Sequence, residues 1–172
     1  FASCTSLMYI TMVGGPGTIG DYAFLDCISL PFVAFPEGLT TISMGAFEGC
    51  VSLASVIFPG TITEIGEDAF RGCISLSSLI LPSGLTAVSR GSFSDCTALR
   101  TVTMESEAGN GIQTIDGYAF DGCLTLQNMT FPETLTVISD FAFENCLSLT
   151  DMMIPSSITS LSPSAFSGCL GI

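Results

Sequence analysis

Apolar residues recur along this chain on two scales. Leu30, Val33 and Phe35 return 23 residues later as Leu53, Val56 and Phe58, then as Leu76, Leu79 and Leu81, then as Leu99, Val102 and Met104. The last two of each set alternate at period two, as a half-buried strand does. Proline follows at Pro36, Pro59, Pro82, Pro132 and Pro155, where it ends the strand at a place that needs no ladder donor. A second group of inward pairs comes next: Leu39 and Ile42, Ile62 and Ile65, Leu85 and Val88, Ile112 and Ile115, Leu135 and Ile138, Ile158 and Leu161. A third stretch opens on Gly20, Ser43, Gly66, Ser89, Asp116, Ser139 and Ser162 and closes on Asp26, Gly49, Gly72, Asp95, Gly122, Asn145 and Gly168. These are helix N-cap residues followed by residues that tolerate the left-handed conformation, so the pattern predicts a short helical turn.

The three stretches make one unit, and the unit is a repeat. Cys4, Cys27, Cys50, Cys73, Cys96, Cys123, Cys146 and Cys169 stand 23 residues apart except for one gap of 27. A phenylalanine precedes each cysteine by three positions, and a leucine follows each by three, with Ile172 the one variant. A fixed period of this size marks a solenoid in which each unit stacks on the last. The long gap holds the insertion 105–111, expected to bulge as a surface loop, and Val13-Gly-Gly-Pro-Gly makes the first turn degenerate. Phe1 is already in register and Ile172 closes in mid-unit. The expectation is a single solenoid over 1–172, about seven units cut from a longer array whose ends would otherwise need capping.

Composition narrows the function. The chain is 48% hydrophobic and only 11% charged, against roughly 25% charged in ordinary soluble domains. Its apolar residues lie at repeat spacing, and no run approaches the ~20 residues of a spanning helix, so direct membrane insertion is not expected. Sixteen acids against three arginines, Arg71, Arg90 and Arg100, give a net charge of -13. Such a field repels polyanions, so nucleic acid is not an expected partner. With no lysine or histidine, a Ser-His-Asp triad, a Cys-His pair and a Schiff base are all out of reach. Only carboxylate chemistry remains, and neither Glu67-Asp68 nor Glu105 with Glu107 has ligand spacing for calcium. Neither a catalytic residue, a metal ligand nor a cofactor site is expected. Stacked turns would place the cysteines in one column with their side chains parallel, a geometry unsuited to disulfides. The expectation is a ladder of buried thiols acting as small hydrophobes.

The pattern Ala-Phe-x-x-Cys-x-x-Leu-x-x-Val-x-Phe-Pro at 46–59 resembles the BspA-like leucine-rich repeat family over essentially the whole chain; Ser92 replaces Ala, and Val13 and Glu105 replace Pro. That resemblance implies an α/β repeat solenoid: a right-handed leucine-rich-repeat coil with a parallel β-sheet on the concave face and short helical or 3-10 turns on the other. It also implies a non-enzymatic binding or adhesion module, extracellular or at a cell surface, with a protein or glycan partner. The alternative is a scaffold subunit of a larger lumenal or intracellular assembly, packed against neighbouring subunits.

Sheet faces of solenoids are used for binding, which directs attention to the outward positions five and seven after each cysteine. These are Tyr9 and Thr11, Phe32 and Ala34, Ser55 and Ile57, Ser78 and Ile80, Thr101 and Thr103, Asn128 and Thr130, Asp151 and Met153. Tyr9, Phe32, Ile57 and Ile80 are expected to form an apolar strip of the kind that marks contacts. Thr103, Thr130 and Met153 would continue the face, and Glu105 and Glu107 would border it from the insertion.

Overall fold

The structure is a computed structural model that describes residues 1–12, 14, 17–150 and 152–172. Most of the degenerate first turn at Val13, and outward-column Asp151, lie outside the described residues. Two rows of short strands alternate along the chain. The strand face is built from β2 (Phe32–Ala34), β4 (Ser55–Ile57), β6 (Ser78–Leu81), β8 (Thr101–Met104) and β10 (Asn128–Thr130). The second side is built from β1 (Thr18–Ile19), β3 (Thr41–Ile42), β5 (Glu64–Ile65), β7 (Ala87–Val88), β9 (Thr114–Ile115), β11 (Val137–Ile138) and β12 (Ser160–Leu161). Every strand pair is parallel, and each residue pairs with its counterpart one repeat away: Val33 with Val56, Leu79 with Val102, Ile42 with Ile65. Pairing at the repeat distance is what makes the chain a coil.

The interior is made of columns. Phe24, Phe47, Phe70, Phe93, Phe120 and Phe143 stack ring on ring through the buried core, with neighbouring centroids 5.0 to 5.6 Å apart. Beside them run the leucines and the thiols, Cys27 through Cys146 buried. Each thiol has a specific partner: Cys50 Sγ donates to the carbonyl of Phe24 at 3.1 Å, Cys73 to Phe47 at 3.3 Å, Cys123 to Phe93 at 3.3 Å. The same carbonyl also accepts the N–H of the cysteine in its own turn, as Phe24 O does from Cys27 at 3.2 Å. A carbonyl oxygen has two lone pairs, and this column uses both.

The third side is not helical. No helix is present among the described residues. The left-handed closing column falls where the sequence puts it, at Asp26, Gly49, Gly72, Asp95, Gly122, Asn145 and Gly168, but a second left-handed column lies four residues earlier at Tyr22, Gly45, Asp68, Gly91, Tyr118 and Phe141. A residue at φ of 53° to 61°, two places after the supposed N-cap, stops a right-handed helix before its first turn. Alternate N–H groups close tight turns, as Ala23 to Gly20 and Cys27 to Phe24, while those between them reach the next coil, as Tyr22 to Met44 O at 2.9 Å and Phe24 to Ala46 O at 2.7 Å. The third side is therefore another ladder between coils, and a helix would have spent those donors on itself.

Both strand rows break at one level. The strand-face sheet is interrupted between β4 and β6, and the second-side sheet between β5 and β7. All four strands belong to the coils that start at Cys50 and Cys73, so a seam runs between those coils. The third-side ladder crosses it unbroken, through Asp68 to Arg90 O, Phe70 to Ser92 O and Gly72 to Ser94 O at 2.9 to 3.0 Å. The seam coincides with a change in one core column. Phe58 stacks on Phe35 of the preceding coil at 5.6 Å, whereas the next coil offers Leu81, which has no ring to stack on.

Candidate partner-binding face

Strand alternation positions the face. In β6 and β8, Leu79, Leu81, Val102 and Met104 point into the core, which leaves Ser78, Ile80, Thr101 and Thr103 outside. The ladder register sorts the outer residues into two columns. Phe32 stands opposite Ser55, and Ala34 opposite Ile57; Ile80 stands beside Thr103, and Thr103 beside Thr130. Phe32, Ile57 and Ile80 are 42%, 58% and 61% exposed. The expected apolar strip is thus distributed over both columns, Phe32 in one and Ile57 with Ile80 in the other. Tyr9 and Met153 are exposed but lie outside the strands.

The seam opens the face. Val56 and Phe58 are only partly buried, although their column mates Val33, Leu79, Phe35 and Leu81 are 0 to 6% exposed. A cavity of about 240 Å³ lies there, bounded by Val56, Ile57, Phe58, Ile80, Pro82 and Glu105, with the hydroxyl-bearing Ser55 and Ser78 also in its lining. Around Gly60 it adjoins a second cavity of about 200 Å³, lined by Glu107, Asn110 and Gly111 from the insertion. The insertion is an ordered miniature hairpin. Glu107 and Asn110 exchange backbone hydrogen bonds at 3.0 and 2.7 Å, and Ala108 and Gly109 both have positive φ, as a type I′ turn requires. Because glutamate replaces proline at 105, an N–H is available, and it donates to Leu81 O at 2.9 Å. That bond fixes Glu105 against the cleft. Further along, Thr130 and Met153 border an apolar hollow of about 700 Å³ with Met129, Phe131 and Met152.

The third side carries a polar hollow that the sequence did not single out. Asp68, Arg71, Arg90, Ser94, Tyr118 and Asp121 surround about 330 Å³. Arg71 faces Asp95 at 3.7 Å and Asp68 at 4.0 Å, while the Arg90 guanidinium lies 4.8 Å above the Tyr118 ring. Burial holds the Asp121 carboxyl above the usual carboxylate range, and a hydrogen bond from Asn145 pulls the other way. Arg90 and Tyr118 stand six and five residues before successive cysteines, so the repeat register was the signal that could have brought them together. Among the described residues no cluster of three or more cysteines and carboxylates is placed to hold a metal ion. Among the described residues no helix is long and apolar enough to cross a membrane.

The profile described as "BspA type Leucine rich repeat region" matches this chain in six copies, over residues 1–110 and 105–172. The structure superposes on the T. pallidum leucine rich repeat protein TpLRR with a TM-score of 0.84 and 29% identity, covering 92% of this chain and 73% of that one. For a leucine-rich repeat protein from Eubacterium ventriosum the TM-score is 0.80 and the identity 31%, covering 89% of this chain and 41% of that one. A leucine rich cell surface protein from Faecalibacterium prausnitzii follows at 0.51 and 25%, covering 98% and 66%. None of the curated proteins matches.

Proposed function

Because the chain belongs to the BspA-type leucine-rich repeat family, we propose that it is a non-enzymatic binding module that engages a macromolecular partner, a protein before a glycan, through its strand face at a cell surface. The observation that carries this reading is the exposure of Phe32, Ile57 and Ile80 along the strand face, the first two on the β2–β4 sheet and Ile80 at the edge of the sheet that begins with β6. Large apolar side chains grouped on a surface favour contact with another surface. The cell-surface location rests on the F. prausnitzii protein, which is named for it.

The test compares binding of the purified chain to a panel of secreted and cell-surface proteins by biolayer interferometry. The triple variant Phe32→Ser, Ile57→Ser, Ile80→Ser should lose the interaction. The pair Ile28→Ser, Leu124→Ser, at exposed apolar positions outside the strands, should keep it. Equal binding by wild type and triple variant would overturn the reading.

A further inference from the structure

We infer that the seam cleft on the strand face is a socket for one large apolar side chain of a polypeptide partner, with Glu105 receiving a lysine or arginine that neighbours it in the partner's sequence. This rests on the strand-face reading and gives the partner a chemistry. Three observations converge on it. The ladder stops between β4 and β6, so two strand edges face each other unpaired. The core comes to the surface at this level, where Val56 and Phe58 form an apolar floor between the exposed rims Ile57 and Ile80. The cavity of about 240 Å³ suits an aromatic or branched side chain, since an apolar cavity of about 150 Å³ already takes up benzene.

Charge chooses the rest of the occupant. Glu105 closes one end of the cleft, its backbone anchored on Leu81. Among the described residues no arginine pairs with it, both ion pairs being made by Arg71 on the third side. Glu107 continues the acidic character around Gly60. In a chain of net charge -13 this end of the cleft attracts cations and turns anions away. A sugar is a poorer fit: Ser55, Ser78 and Glu105 are the polar side chains lining the cleft, whereas the floor of Val56 and Phe58 is apolar, and sugar hydroxyls buried against that floor would go unpaired.

The experiment titrates the intact chain with blocked hexapeptides of serine and threonine that carry one phenylalanine and, two positions on, one lysine, read by calorimetry. Replacing the peptide phenylalanine by alanine should weaken binding by about tenfold or more, the effect of losing one buried aromatic side chain. Replacing its lysine by glutamate should weaken binding about threefold, as befits an exposed charge pair. In Glu105→Gln the lysine preference should shrink while the phenylalanine preference remains. In Ile80→Thr the phenylalanine preference should fall; the fold tolerates threonine in this column, where Thr103 and Thr130 already stand. Peptide binding indifferent to phenylalanine, or unchanged in both variants, would overturn the socket. So would a dimer of the chain alone that Ile80→Thr dissolves, since a second copy would then be the occupant. If the triple strand-face variant abolishes protein binding while Glu105→Gln and the peptides show no effect, the socket falls and the strand-face reading stands; if the triple variant also binds normally, both fall.

Discussion

Cysteine is used here for a bond that alanine or valine could not make. Its thiol is small enough for the core and donates to a phenylalanine carbonyl one coil back, as Cys96 does to Phe70 at 3.4 Å. The left-handed columns impose a second rule at the residue scale. A β-carbon on Gly45 would run into the Tyr22 ring, and one on Gly91 into the Asp68 carboxylate. A large left-handed side chain leans over the next coil, so glycine follows it; Tyr118 and Phe141 escape the rule by stacking at 5.2 Å. Ser92 breaks a different one. It occupies the alanine column of the core, fully buried, and its hydroxyl has no hydrogen-bond partner among the described residues. An unsatisfied buried hydroxyl costs about 1–3 kcal/mol. Ser92→Ala should therefore raise stability by about that amount, seen as a higher urea midpoint at unchanged slope; an unchanged or lower midpoint would mean the hydroxyl is satisfied.

At the scale of elements, the strands were legible in the sequence because period two and the terminal prolines are local signals. Leu79 and Leu81 fall inward and Ile80 outward, as alternation requires. The third side was read as helical because its opening and closing residues imitate helix caps. What overrode them was the left-handed column through Tyr22, Tyr118 and Phe141, positions whose side chains carry no such preference and are unusual at positive φ. The seam was not legible either, since every column continues across it and only the change from Phe58 to Leu81 marks it. It has a measurable consequence. Gln113 and Asp116 donate to Thr86 and Val88 at 2.8 and 2.9 Å, but the equivalent N–H groups of Thr86 and Ser89 make no such backbone bond to the coil before. Amide exchange depends on opening the bond that protects the group. Thr86, Ala87 and Ser89 should exchange well ahead of Gln113, Thr114 and Asp116, and equal protection would remove the seam.

The whole molecule is one core seen edge-on, and this limits what sequence can say of its site. Columns that repeat specify the interior, whereas the cleft is assembled from Ile57, Ile80 and Glu105 of three successive coils and exists because the coils part there. The outward positions include Ile57 and Ile80, and the insertion supplies Glu105, without showing that the three meet. Continuity of the thiol column gives the molecule a common response to alkali. Burial pushes Cys50 up to about 12 and holds Cys73, Cys96 and Cys123 well above the ordinary thiol range. Unfolding frees these thiols to ionise near 8.5. Above that pH the unfolded chain binds fewer protons than the folded one, so stability must fall as pH rises. Each of the four groups contributes about 1.4 kcal/mol per pH unit until its folded value is reached. Thermal melting under reductant should accordingly be flat with respect to these groups below pH 8 and drop steeply between about 9 and 11. Replacing Cys73 by alanine should make that drop shallower by one proton's worth while lowering stability at pH 7, because the donor to Phe47 is lost. A melting temperature that stays level through pH 10.5 would show that the thiols ionise in place and that the column is open to water.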